Sequence, residues 1–145
     1  MFENYRDYLG LYFSSDYWAD CGIDFSLQFL REFSQSDWLK LQKECCSEFT
    51  SVEWKMRCAE TLSDVGTAES LNILMLLLRS ENEELVLGAL DSINSSLRFS
   101  RLDDDLVDEL ICFIDALPVP GVIQDIVVKS LKVRLLSSKK VNSEA

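Results

Sequence analysis

Carboxylates are the reactive side chains that this chain offers in quantity. Its 145 residues carry 25 aspartates and glutamates against 14 lysines and arginines, a formal net charge of −11, and no histidine. Without histidine, paired carboxylates are the remaining candidates for general acid and base work of the kind glycoside hydrolysis uses. The sequence has no Gly-rich phosphate loop, no Gly-x-Ser-x-Gly elbow and no metal-ligand spacing. Its acids fall in turns and on polar helix faces, with no apolar cleft to push two acidities apart. The chemistry they suit is recognition: the expectation is a protein that is not an enzyme and needs no metal or cofactor.

Two groups of residues carry that expectation. Asp16 and Asp20 flank Tyr17 and Trp18 in the stretch Ser14 to Asp24, where Ser14, Ser15, Gly22 and Asp24 add turn chemistry. Read as a loop, it offers aromatic anchors among carboxylates, a contact site for a basic partner. The same residues would also suit a loop folded back on the first helix. The second group is Glu53, Glu60 and Asp64, with Glu84 and Asp91 standing 31 residues after Glu53 and Glu60. Solvated charge and helix N-terminal acids account for many such residues in any protein. Residues 1–49 nevertheless hold nine acids and four bases, 50–117 fourteen and five, and 118–145 two and five. A field of one sign over most of a chain repels nucleic acid and anionic membrane and steers a basic partner into encounter. Lys129, Lys132, Arg134, Lys139 and Lys140 read more simply as cations at a helix C-terminus.

The elements that must hold these residues are helices. Trp54, Cys58, Thr61 and Leu62 align with Leu85, Ala89, Ser92 and Ile93 at the spacing of 31, each set marking one helix face with small residues for close approach. Gly66 suits a left-handed helix end, Thr67 a cap for the next helix, and Ser80 with Glu83 a capping box. From Ala68 to Arg79 the chain is apolar nearly all round, so that helix must be covered on most sides. Earlier, Phe2, Tyr5, Leu9, Tyr12 and Phe13 mark a first helix, and the first 18 residues hold seven of the fifteen aromatics. Those aromatics suit either a capping helix or a binding surface. Asp24 would cap a second helix with Phe25, Phe29, Leu30 and Phe33 inward, and Ser36 a third with Trp38, Leu41, Cys45 and Phe49 inward. A last pair is expected from Leu106, Leu110, Phe113, Ile114 and Leu117. Beyond Pro118, Pro120 and Gly121 its second helix would use Ile123, Val127, Ser130 and Leu131, at a spacing of 38.

Paired helices at a period near 30 make a solenoid, in which neighbours stack to share a core. The segment MRCAETLSDVGTAESLNILMLLLRSENEELVLGALDSI resembles short HEAT-like repeats, with their small residues, helix-ending glycine and acidic turn before each second helix. An ordinary helical bundle is the rival reading. The resemblance implies an all-α, small right-handed solenoid with residues 1–140 as one domain. Residues 1–49 would be the aromatic capping helix and a divergent first repeat, 50–97 the core repeat helices, 103–136 a third helical pair, and 137–145 a flexible tail.

No run of apolar residues approaches the roughly 20 needed to span a bilayer, and MFENYRDYLG lacks the features of a secretory leader. Five cysteines, odd in number and without a CxxC pair, read as buried thiols of a reducing compartment, so a cytoplasmic protein is expected. Size, acidity and helical type together resemble the immunity proteins of bacterial contact-dependent inhibition and related polymorphic toxin systems. That resemblance implies a basic partner, a cognate toxin domain such as a nuclease, whose groove is occluded by carboxylates standing in for phosphates. Tyr17 and Trp18 would then be the anchors, and Asp16, Asp20, Glu53, Glu60, Asp64, Glu84 and Asp91 the charged lining. Two alternatives remain: a HEAT-type adaptor binding a subunit or peptide, and an accessory repeat domain of a chromophore or cofactor lyase, since such repeats also occur in phycobilin lyases.

Overall fold

Six helices among the described residues are started by a side chain that answers their unpaired amides. The computed structural model describes residues 1–98, 102–117 and 122–144, which are helical apart from short connections and contain no strand. Helix α1 (Phe2–Leu9) buries Phe2, Tyr5 and Leu9 at the expected spacing. Ser14 then accepts from the Tyr17 amide and opens α2 (Ser15–Tyr17), a π-helical turn (Trp18–Gly22) and α3 (Ile23–Arg31). Helix α4 (Gln35–Cys46) starts from a capping box between Ser34 and Asp37. Ser51 caps α5 (Val52–Leu62), and Thr67 with Ser70 closes a second capping box on α6 (Ala68–Leu77). Asn82 caps α7 (Glu83–Ser96), Asp103 caps α8 (Asp104–Asp115), and α9 runs from Val122 to Glu144. Such caps contribute about 1 kcal/mol apiece.

The packing follows chain order. Helices α3, α5, α7 and α9 lie each beside the next, while α1, α4 and α6 form a second row against them. Helix α8 packs on α9, and α1 touches α3, α4 and α5. The all-α architecture expected from the sequence is therefore present, with the core between the rows. The 31-residue register lies at its centre: Trp54, Cys58, Thr61 and Leu62 on α5 and Leu85, Ala89, Ser92 and Ile93 on α7 are all buried. Gly66 has φ of 67°, the left-handed geometry that only glycine adopts without strain. Leu71, Ile73, Leu74, Leu77 and Leu78 bury the apolar helix α6 as its composition requires.

Several local expectations give way. The stretch read as a loop is helical from Ser15 through Asp24, because the Ser14 cap competes successfully with the turn-forming residues that follow. Asp24 is consequently inside α3, and capping falls to Ser34 instead of Ser36 and to Asn82 instead of Ser80. Phe49 lies beyond α4 and is fully exposed, at 101%. Helix α3 packs on α1 and α5. On α9, Leu131 and Leu135 are buried and Val127 half-buried, but Ser130 is exposed, its hydroxyl 3.3 Å from Asn94 Nδ2. Helix α9 continues to Glu144 with no glycine or proline to stop it, through most of the stretch read as a tail. Pro118, Pro120 and Gly121, and the side chain of Ile123, lie outside the described residues.

Candidate functional site

Arg57 organises the surface where the two candidate groups meet. One turn after Glu53 on α5, its guanidinium donates from Nη2 to Glu53 at 3.1 Å and from Nη1 to the main-chain carbonyls of Leu9 and Leu11 at 2.8 and 2.7 Å. Those carbonyls belong to the end of α1 and the link beyond it, where helix carbonyls lack partners and attract cations. The guanidinium carbon also stands 5.0 Å from the Phe13 ring centre and 5.5 Å from that of Trp18. With only 12% of its side chain exposed, Arg57 is a rivet holding the α1 to α2 link onto α5.

Trp18 is drawn into the same assembly. It lies over Gly22, where an added Cβ would fall 2.4 Å from the indole, so the π-helical turn needs glycine at that point. Its indole N–H donates to the Glu60 carboxylate. Phe13 stacks on Tyr17 at 5.5 Å and 12° between planes, and Tyr8 sits among Phe13, Phe25 and Phe29. Burial pushes the Tyr8 phenol up to about 12. The N-terminal aromatics are thus divided. Phe2, Tyr5 and Trp18 are buried, with the Tyr5 hydroxyl 2.6 Å from Thr61 Oγ1, while Tyr12 is 95% and Tyr17 47% exposed.

The nine residues singled out by the sequence separate accordingly. Trp18 is a packing residue, and Glu60 is half-buried in its service. Asp16, Tyr17 and Asp20 are exposed on the helical turn. Glu53 is exposed at 77% of its side chain although paired with Arg57. Asp64 lies in the turn after α5, and Glu84 and Asp91 are exposed on α7. Helices α5 and α7 come close where Gly88 faces Met56, its absent Cβ leaving room for a methyl 3.0 Å away. Gly88 shares a helix face with Glu84 and Asp91, as Met56 does with Glu53 and Glu60. The carboxylates of the two helices therefore flank one line of contact. Positive charge returns at its far edge, where Arg134 on α9 donates to the Asn94 carbonyl at 3.0 Å, one turn beyond Asp91.

Sequence reasoning missed Arg57, whose spacing of four from Glu53 was the available signal. It also missed the cleft of about 210 Å³ lined by Leu9, Gly10, Leu11 and Tyr12 from the α1 end and Ser51, Glu53, Trp54 and Arg57 from α5. Of the cysteines, Cys45 and Cys58 are buried with sulfurs 3.8 Å apart, and Cys21, Cys46 and Cys112 are exposed. The hydrogen bond with Cys58, together with burial, pushes the Cys45 thiol well above its ordinary range. Among the described residues no cluster of three or more acidic or cysteine ligands suits a metal ion, and no helix is long and apolar enough to cross a membrane. No protein-family model matches the chain, and no curated protein or solved structure matches it.

Proposed function

We propose that this chain is a HEAT-like helical-repeat module of the cytoplasm that binds a basic protein and blocks that protein's active or nucleic-acid-binding groove, as an immunity protein does to a toxin nuclease. The observation that carries the reading is the alignment of exposed carboxylates on adjacent helices, Glu53 on α5 with Glu84 and Asp91 on α7, and Asp64 at the α5 end. Set in a chain of net charge −11, such a strip matches a surface that normally holds phosphates. Its role is binding and not catalysis: the acids are solvent-facing and lack the apolar enclosure that tunes a catalytic pair. A standard interface of about 1,600 Å² is within reach of a domain this size.

Charge reversal tests the reading, and the residues must be chosen with care. Glu60 serves the Trp18 indole and Glu53 the Arg57 guanidinium, so reversing either would disturb the fold as well as the field. Asp64, Glu84 and Asp91 have no ion-pair partner among the described residues. The triple variant D64K/E84K/D91K should keep the helical circular dichroism of the parent. In affinity capture from the source cell it should lose a basic protein that the parent retains. Retention of the same protein by both would remove this strip from consideration.

A further inference from the structure

We infer that the cleft between the end of α1 and the start of α5 seats an arginine side chain of the basic partner, with Tyr12 and Glu53 as its walls. The inference rests on the reading that the partner is basic and moves the centre of contact away from Trp18. A tyrosine 95% exposed stands beside a carboxylate 77% exposed at the mouth of the cleft. An aromatic face and a carboxylate together accept a guanidinium, one by stacking and the other by a charge-assisted hydrogen bond, here to the Glu53 oxygen that Arg57 does not hold.

An anion fits the cleft less well, although Arg57 lines it. Nη1 of Arg57 is committed to the carbonyls of Leu9 and Leu11 and Nη2 to Glu53, so the guanidinium faces inward. The positive end of α5 is answered by Ser51, which caps the Trp54 amide, and by Glu53 in the first turn. Leu11, 53% exposed, and Val52, 39% exposed, give the approach an apolar margin for the residues that flank the arginine. Tyrosine and arginine are among the residues enriched at the anchor points of interfaces.

The probe is N-acetyl-arginine methylamide, titrated at low salt into the labelled chain and followed in amide NMR spectra, with N-acetyl-glutamate methylamide as control. The indole N–H of Trp54 and the amides of Gly10, Leu11 and Tyr12 should move along a saturable curve with the arginine probe alone. E53Q and Y12A should each weaken that curve about two- to fivefold, the range for one solvent-facing contact, while E81Q leaves it unchanged. Equal shifts with the glutamate probe, or a curve indifferent to both E53Q and Y12A in chains whose other resonances are unmoved, would overturn the inference. Saturable arginine binding by a chain that retains no basic protein would sink the preceding reading and leave the cleft standing. Capture of a basic protein with no arginine response would do the reverse.

Discussion

Replacing Arg57 by alanine should remove much of the stability of the N-terminal third of the molecule. Its two hydrogen bonds to the carbonyls of Leu9 and Leu11 are charge-assisted, and only 12% of the side chain meets solvent. A charged hydrogen bond contributes about 1.5–3 kcal/mol, and the lower end applies because Leu11 is exposed and its carbonyl can be hydrated after the change. The contacts with Phe13 and Trp18 add about 0.5–1 kcal/mol, and the pair with the exposed Glu53 less than about 1 kcal/mol. The loss is therefore about 3.5–5 kcal/mol for R57A. R57K keeps the charge but not the fork that reaches both carbonyls and Glu53, and should lose about half as much. Urea unfolding followed by circular dichroism gives the assay. With a slope of about 1.5 kcal/mol per M, R57A should lower the midpoint by about 2–3 M. A loss under about 1 kcal/mol for R57A, or an R57K midpoint equal to the parent's, would refute the rivet and make Arg57 an ordinary surface residue.

Three further outcomes follow from local geometry. G22A drives a methyl into the Trp18 indole and should cost about 1–3 kcal/mol in the same urea assay, with a change in tryptophan fluorescence. G88A meets only the flexible end of Met56 at 3.0 Å and gains helix propensity, so its urea midpoint should match or exceed the parent's. Asp37 accepts from the Ser34 and Phe2 amides, which hold its carboxyl down at about 2 against an ordinary 3.8. A lowered folded-state value means stability that is present above pH 3.8 and is lost as pH falls toward 2. D37N should therefore flatten the acid side of the stability profile in that window, measured by unfolding at a series of pH values.

How far the residues disclosed this surface depended on the range of the force involved. The register from Trp54 to Ile93 was legible because burial of a helix face imposes a period, and Gly66 because only glycine takes φ of 67° cheaply. The turn at Trp18 was not. Its polar residues read locally as a loop, and the contacts that make it helical and bury the indole come from Glu60 and Arg57, some forty residues away. Phe49 failed for the opposite reason: its spacing continued the α4 pattern, but the helix ends at Cys46, so the ring faces solvent. The exposed acids of α7 were recoverable from the 31-residue repeat, whereas the engagement of Glu60 was visible only in three dimensions.

The most direct measurement is nucleic-acid cleavage by the basic protein that the chain retains, assayed with increasing amounts of the chain. Cleavage should fall to baseline near one equivalent and return when D64K/E84K/D91K replaces the parent. Cleavage that continues in the presence of excess chain, or inhibition that survives the triple reversal, would contradict the account.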